Sequence, residues 1–378
     1  MYVKNGGSGS KKKCCRLTGL LGHCPMAFMS LETLGWSAHF QGQVVDQELS
    51  ATIPARVMRV RRGELVLQGA EIEIPVPSKS VPLEFDDEES RPTLGDWLLL
   101  ESQSHQPVRR LERLSLLKRK APGSGRGIQL IAANVDVIFI VSSCNQDFNL
   151  ARIERYLVLA AEAGAMPVVV LTKADLSDDP AAYITEAASL GPDIMVEAID
   201  ARDPQSAGGG LVAWCGPGQT VALLGSSGTG KSTLANTLRG TNDQRTAEIR
   251  DDDSKGRHTT TERVLLPLPG AGWLADTPGM RELQLLDVAD GIAVAFADVE
   301  QLAQTCKFRN CSHGEEPGCA VVAAVAAGDL AARRVESFRK LQREEARNRE
   351  TLAQRHSRVQ AFSKVIREAT KFHAKRRD

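Results

Sequence analysis

The sequence predicts a multidomain α/β protein in which a small β-domain precedes a mostly parallel sheet with helices on both faces. Three observations indicate this class. Short segments of alternating apolar and polar residues fill the range 51–117. Apolar strand-like segments then alternate with helical ones as far as Leu283, which is typical of a parallel sheet buried on both sides. Beyond that point the chain is alanine-rich and helical, apart from one short segment of cysteine and histidine residues.

The composition is that of a globular protein with two or three domains, since the chain has 378 residues, 42% apolar and 25% charged. Aromatic residues make up only 4%, so we expect no surface that stacks many bases. No apolar run approaches the roughly 18–20 residues of a membrane-spanning helix, and we expect no membrane contact. Eight cysteines without a complete signal peptide indicate the reducing cytoplasm. We expect a monomer there.

Residues 1–28 are predicted to be a flexible extension, with Met29 as a natural start. The opening MYVKNGGSGSKKKCC has no pattern of a strand or helix. The extension also holds a cluster of potential metal ligands, which we interpret as incidental because nothing around them predicts a fold: Cys14, Cys15, His23 and Cys24.

The carboxy-terminal tail is basic, although the formal net charge of the whole chain is zero. From Arg333 to Asp378 there are 15 Lys and Arg residues against 6 Asp and Glu residues. This excess favours contact with a polyanion, most plausibly nucleic acid. The alternative is a solvated helix face that binds nothing.

The β-domain is built from short strands separated by turns. ARVMRV, ELVLQ and EIEIPV alternate with period two, RRGE separates the first two, and LGDWLLLE follows an acidic loop. About five short strands in fewer than 80 residues suit an OB-like barrel, a fold that often binds RNA. A β-module without a ligand is the alternative.

The predicted parallel sheet begins in the longest apolar run, IAANVDVIFIVSSC, which we interpret as a buried strand despite Asn134 and Asp136. An amphipathic helix follows and ends at Gly164. Further strands are predicted in PVVVL, TVALLG and GWLAD, and a helix in STLANTLRG.

The stretch GSSGTGKS matches the phosphate-loop pattern G-x-x-x-x-G-K-[ST], and it lies between a predicted strand and a predicted helix. Small residues let backbone N–H groups curl around phosphate oxygens at the positive end of the helix. Lys231 is expected to reach the β- and γ-phosphates, and the Ser232 hydroxyl to bind Mg²⁺. The predicted phosphate-binding residues are Gly225, Ser226, Ser227, Gly228, Thr229, Gly230, Lys231, Ser232 and Thr233.

Two further motifs follow the phosphate loop. ADTPG ends a predicted strand, so Asp276 is expected to hold Mg²⁺ through water and the Gly279 N–H to meet the γ-phosphate. The second motif, SKGRHTTTER, lies between the phosphate loop and ADTPG. It is a polar loop whose threonines could supply a hydroxyl ligand to Mg²⁺. Taken alone, each segment is better interpreted as an ordinary turn or loop, and only its position relative to the phosphate loop favours the functional interpretation.

TKAD, upstream of the phosphate loop, is typical of guanine recognition and supplies Thr172, Lys173, Ala174 and Asp175. A carboxylate that accepts two N–H donors selects guanine, because adenine presents an acceptor at the equivalent position. GTP and GDP are therefore favoured over ATP. An ATP-using enzyme such as a small-molecule kinase is the alternative.

Four potential metal ligands lie within 14 residues: Cys306, Cys311, His313 and Cys319. Three thiolates and one imidazole form a closed tetrahedral set, which suits one structural Zn²⁺ and leaves no position for a reactive water. The isolated Cys144 and Cys215 are expected to pack as small apolar groups.

The order TKAD, GSSGTGKST, GRHTTT, DTPGMRE and CKFRNCSHGEEPGC resembles the RsgA (YjeQ) family of small-subunit-dependent GTPases, over roughly 34–375. The resemblance implies binding to the small ribosomal subunit and its rRNA late in assembly. It also implies GTP hydrolysis, stimulated by the subunit, that releases assembly factors and the GTPase itself. The domains it implies are an OB-fold RNA-binding domain at 29–117, a circularly permuted P-loop GTPase domain at 118–284, and a zinc-binding helical domain at 285–378.

The resemblance places switch I at His258, Thr259 and Thr260 and switch II at 276–279. Thr259 or Thr260 would join Ser232 at Mg²⁺. Met280 stands where related enzymes carry a water-orienting Gln, so slow intrinsic hydrolysis is expected and His258 is the predicted substitute. The implied catalytic residues are His258, Lys231 and Thr260. A His258 that contacts only RNA or solvent is the alternative.

Two positions depart from the family pattern. Thr172 begins the base motif where Asn is commoner, and Asp200 stands where a Ser-Ala pair usually backs the guanine. The competing hypothesis for the whole chain is an RNA-binding nucleotide switch with negligible turnover.

Overall fold

The computed structural model describes residues 29–83, 88–121, 127–240, 262–277, 288–314 and 316–349. The predicted extension at 1–28 and its Cys14 cluster lie outside these residues, as does the tail from 350 onward. Within the described ranges no helix has the length and apolar character that crossing a bilayer requires.

The β-domain is an antiparallel sheet in the order β3-β2-β1-β4-β5. Strand β1 pairs with two other strands of this sheet. Its amino-terminal half pairs with β4 and its other half pairs with β2, with an irregularity between Val57 and Arg59. Five antiparallel strands with a shared first strand are what the predicted OB-type, partly open barrel requires, and we refer to this sheet as the barrel. The elements are helices α1 (Ala38–Gln41) and α2 (Asp46–Ala51) and strands β1 (Thr52–Arg61), β2 (Glu64–Gln68), β3 (Glu73–Pro77), β4 (Trp97–Glu101) and β5 (Pro107–Arg110).

The predicted period-two alternation does not hold in β1, where only Arg61 is exposed. Ala55 and Val57 belong to the main apolar core, whereas the Arg56 side chain, 1% exposed, reaches Thr220 on the parallel sheet and the Asn134 carbonyl just before that sheet. Both faces of β1 are therefore covered, because the strand lies between the apolar core of the β-domain and the parallel sheet.

The second part of the structure is the predicted parallel sheet, ordered β10-β9-β8-β11-β13. Alternate residues of β8 belong to two different apolar clusters, for example Ile138 and Phe139, so helices cover both faces. Its elements are β8 (Val137–Ser143), α3 (Leu150–Ala163), β9 (Met166–Thr172), α4 (Pro180–Ala188), β10 (Met195–Ala198), α5 (Pro204–Leu211), β11 (Thr220–Leu224), α6 (Lys231–Arg239), β12 (Arg263–Pro267) and β13 (Trp273–Asp276).

The apolar run 131–144 is not one strand, so that prediction was wrong. It contains the end of β7 (Ile128–Ala133), which pairs with β6 (Leu116–Lys120), and then all of β8. Asn134 breaks the run with a φ of 55°, and its side chain donates to the Gly95 carbonyl. The Asp136 carboxylate accepts the N–H of Thr220 at 2.7 Å. Both polar residues therefore turn the chain from one sheet to the other.

Strand β12 joins the barrel to the parallel sheet. It pairs antiparallel with β13 on one side and with β1 on the other, through Arg59↔Val264 and Val60↔Arg263. The Glu262 carboxylate, just before β12, accepts a hydrogen bond from Arg61 at 2.9 Å. One continuous sheet therefore carries both bodies. The predicted boundary between 117 and 118 falls inside β6, and the domain limits stay predictions.

The helical part packs on α3. Gly291 allows the close approach, because a Cβ atom there would lie 2.4 Å from the Val158 carbonyl oxygen. Arg334, 5% exposed, pairs with Glu154 of α3 and bidentately with Asp298. The basic tail is helical to Arg349, as predicted. The helices are α7 (Ala289–Ala295), α8 (Ala297–Ala303), α9 (Ala320–Ala327) and α10 (Ala332–Arg349).

Candidate nucleotide and metal sites

The predicted nucleotide motifs meet at one edge of the parallel sheet. TKAD begins at Thr172, the last residue of β9, the phosphate loop follows β11, and Asp276 ends β13. Because these strands are parallel, their carboxyl ends lie on the same side, which is where open α/β sheets bind ligands.

The phosphate loop has a backbone that requires glycine. Gly225 has a φ of 152°, and a Cβ atom there would lie 2.3 Å from the Val141 carbonyl oxygen of β8. Gly230, with a φ of 86°, precedes the first residue of α6. The loop therefore wraps the amino end of a helix without side chains in the way, a cradle that fits phosphate groups.

Two side chains of the phosphate loop donate hydrogen bonds to the backbone of the loop itself. The Thr229 hydroxyl donates to the Ser226 carbonyl at 3.0 Å, and the Lys231 ammonium donates to the same oxygen. Lys231 and Ser232 are half-buried, whereas Ser227, Gly228 and Thr233 are exposed. The amine thus lies against the loop that is predicted to hold the phosphates.

Thr172 ties the base motif to the phosphate loop. Its side chain is fully buried, and its hydroxyl lies 2.7 Å from the Thr229 carbonyl and 3.0 Å from the Ser142 carbonyl. A threonine can therefore bridge the two loops. Bridging these two loops is the structural role of residue 172, a position where Asn is commoner in the family.

The base loop itself turns at Lys173, which has a φ of 59°, and the Ala174 N–H donates to the Ile199 carbonyl at 3.3 Å. That contact brings the loop after β10 against TKAD. Asp200 lies in this second loop, so the departure from the Ser-Ala pattern is located beside the predicted guanine site.

Arg202 is a residue that sequence reasoning missed. Its guanidinium donates to the Asp175 carboxylate at 2.5 Å and, through Nε, to the Asp200 carboxylate at 3.2 Å. Hydrogen bonds from the Arg202 side chain and backbone hold the pKa of Asp200 below its ordinary value. The available signal was an arginine between two acidic residues in IDARDP, outside the TKAD tetrapeptide itself.

Asp276 lies at the end of β13 opposite Val264, and the following Thr277 is 5% exposed. The Thr277 hydroxyl has no hydrogen-bond partner among the residues described. Four of the predicted site residues, and Met280, lie outside the described residues: His258, Thr259, Thr260 and Gly279. Their roles stay predictions.

The candidate metal site gathers its four predicted ligands, Cys306, Cys311, His313 and Cys319, whose ligand atoms lie within 4.8 Å of one another. The Sγ atoms of Cys306 and Cys319 are 3.8 Å apart, and His313 Nδ1 lies 3.7 and 3.6 Å from them. Tetrahedral Zn²⁺ with bonds of about 2.3 Å to sulfur and about 2.0–2.1 Å to nitrogen requires separations of roughly 3.8 and 3.6 Å. Three of the four ligands therefore have the separations of a tetrahedral zinc site, and the Cys311 ligand atom lies within 4.8 Å of them.

The chain is similar to known proteins over most of its length. Residues 110–286 match the RsgA GTPase family. The chain is 48% identical over 337 residues to a small ribosomal subunit biogenesis GTPase RsgA 2 of Vibrio parahaemolyticus, covering 89% of this chain and 92% of the relative. It is 48% identical over 324 residues to a small ribosomal subunit biogenesis GTPase RsgA of Mesorhizobium japonicum, covering 84% and 91%.

Two solved structures share the fold, each at 22% identity and a TM-score of 0.56. YjeQ from Thermotoga maritima matches 77% of this chain and 97% of its own. YloQ, described as a circularly permuted GTPase, matches 79% and 97%. The permuted order, with the base motif on β9 before the phosphate loop after β11, is also the order of this chain.

Proposed function

The chain belongs to the RsgA GTPase family, and from that premise we propose that it hydrolyses GTP during biogenesis of the small ribosomal subunit. One observation carries the proposal. The base motif and the phosphate loop meet at one sheet edge, joined by the Thr172–Thr229 contact, in a chain 48% identical over most of its length to proteins named for that activity.

Different residues of the site bind the base, the phosphates, Mg²⁺ and the attacking water. Asp175 accepts the N–H donors of guanine, and the loop 225–233 binds the phosphates through backbone N–H groups and Lys231. Mg²⁺, held by Ser232, by Asp276 through water and by Thr259 or Thr260, would neutralise charge on the β- and γ-phosphate oxygens. His258 orients the attacking water, because Met280 cannot.

The cluster of Cys306, Cys311, His313 and Cys319 holds one structural Zn²⁺. The separations among Cys306, His313 and Cys319 match a tetrahedral site, Cys311 lies within 4.8 Å of them, and four protein ligands leave no position for substrate. The metal would therefore fix the loop between α8 and α9.

The partner is the small ribosomal subunit and its rRNA, contacted by the barrel and by the basic region from Arg333 onward. Fifteen cations against six anions in that region favour phosphate contacts, so binding should weaken steeply with salt. We further propose a soluble, cytoplasmic monomer organised as the barrel at 29–117, the GTPase domain at 118–284 and the zinc-binding helical domain at 285–378.

The decisive experiment measures GTP hydrolysis with and without purified small subunits. We expect slow intrinsic turnover and strong stimulation in the wild type, and no stimulated turnover in His258→Ala, which should still bind GTP. Absence of stimulation would favour an RNA-binding switch with negligible turnover. Displacement of labelled GDP by ATP as effectively as by GTP would exclude guanine specificity.

A further inference from the structure

The Asp175–Arg202 ion pair occupies the carboxylate that is predicted to recognise guanine. Arg202 Nη2 donates to Asp175 Oδ2 at 2.5 Å. Asp175 is about one-quarter exposed and Arg202 about two-thirds exposed, so both groups are open to an incoming base.

Guanine and the Arg202 side chain present similar hydrogen-bond donors to the Asp175 carboxylate. Guanine contains a guanidine unit, in which the N1–H and the 2-amino group are attached to one carbon atom. The arginine guanidinium presents the same arrangement of N–H groups around one carbon, and such forks pair well with carboxylates. Arg202 therefore offers Asp175 the same kind of donor as the edge of the base.

Arg202 is held in this position by its own loop. The Asp200 carboxylate accepts the Arg202 backbone N–H at 2.9 Å and Nε at 3.2 Å. The Asp200 N–H donates to the Ser206 hydroxyl of α5 at 3.0 Å, and the Ala201 carbonyl accepts the Thr237 hydroxyl of α6 at 2.7 Å. The loop is thus anchored to both neighbouring helices, and the side chain is directed at Asp175 by Asp200.

We propose that Arg202 is an internal competitor for guanine, which occupies Asp175 in the nucleotide-free protein and must leave before the base can bind, with Asp200 as its positioning residue. This inference rests on the proposed role of Asp175. The nucleotide-free protein then divides between a state closed by Arg202 and an open state. Apparent affinity is reduced by the open fraction, and the loss is located in the association step.

The test compares binding of a fluorescent GDP analogue to the full-length wild type, Arg202→Ala and a control, Arg62→Ala, whose exposed side chain lies in the turn between β1 and β2. An exposed ion pair of ordinary strength predicts about two- to fivefold tighter binding for Arg202→Ala. The association rate should rise by the same factor, the dissociation rate should be unchanged, and the difference should shrink at high salt. Arg62→Ala should behave as the wild type.

Unchanged or weaker binding by Arg202→Ala would overturn the proposal, as would a gain caused only by slower dissociation. A second comparison separates this outcome from failure of the base site. Asp175→Ala should lose its preference for GDP over ADP, and adding Arg202→Ala to it should then give no gain. If Asp175→Ala keeps its guanine preference, the assignment of the base site is wrong, and the competitor role falls with it.

Discussion

The Thr172 hydroxyl lies 2.7 Å from the backbone carbonyl oxygen of Thr229, across 57 positions of sequence. This contact joins the strand that carries base recognition to the loop predicted to bind phosphates. Both residues are buried, so water cannot replace the contact.

Replacement of Thr172 by Val should reduce the free energy of unfolding by about 1–3 kcal/mol, because a side chain of equal shape then lacks the one hydroxyl that donates to a buried carbonyl oxygen. Urea denaturation measures the loss. Thr172→Ser keeps the hydroxyl and is the control. Equal stability of the Val and Ser variants would show that the contact contributes nothing.

Replacement of Gly225 by Ala should weaken GDP binding by about 5- to 100-fold, because a Cβ atom 2.3 Å from the Val141 carbonyl forces the loop or β8 to move at a strain of about 1–3 kcal/mol. Equilibrium titration with fluorescent GDP gives the change. Gly209→Ala in α5 is the matched control, because no atom lies within 4 Å of its added Cβ. Normal GDP affinity in Gly225→Ala would refute the steric argument.

The purified protein should contain about one zinc ion per chain, since the four ligands form a closed set. Cys319→Ser should lose the metal and melt at a lower temperature, because binding of a structural metal is coupled to folding. The hydroxyl of Ser can still cap α9, where the Cys319 Sγ accepts the Val322 N–H, so the loss reports the metal and not the cap. Elemental analysis and thermal unfolding test both statements. Cys144→Ala should retain its zinc, and metal-free wild type of unchanged melting temperature would contradict a structural role.

Replacement of Arg334 by Ala should cost about 3 kcal/mol of unfolding free energy, because Glu154, 1% exposed, loses a buried partner. Arg333 stays near it, with NH1 3.0 Å from Oε2 but without a well-formed hydrogen bond. Chemical denaturation measures the cost. Arg343→Ala on the exposed side of α10 should change stability by less than about 0.5 kcal/mol, and a similar small effect for Arg334→Ala would be inconsistent with a buried pair.

Stability should fall between about pH 9 and pH 11 in part through Cys215, because burial raises the pKa of its thiol from 9.0 to about 11. A raised pKa in the folded state contributes stability that is complete below the unfolded value and lost as pH rises through the folded value. Urea denaturation at pH 8.5 and pH 10.5 should show a larger loss for the wild type than for Cys215→Ala. Equal losses would mean that the buried thiol does not titrate with unfolding.

The local motifs could be predicted because each depends on adjacent residues and a parallel sheet brings them to one edge. TKAD and GSSGTGKS needed only their flanking strands to be placed correctly. The break at Asn134 was missed, because an apolar run does not reveal where the chain changes sheets. Arg202 was missed for a different reason. Its contact with Asp175 joins two loops 27 residues apart, and only the parallel pairing of β9 and β10 brings them together.

The pairing of β1 with β12 has a consequence for synthesis of the chain. Val60 and its partner Arg263 are separated by 203 positions, the difference between their numbers. At a translation rate of about 5–20 residues per second, β1 is complete on the order of 10–40 s before β12 emerges. During that interval one edge of the barrel has unpaired backbone groups, which other nascent chains could join. The barrel is therefore made before the parallel sheet, but its pairing is completed only when β12 emerges.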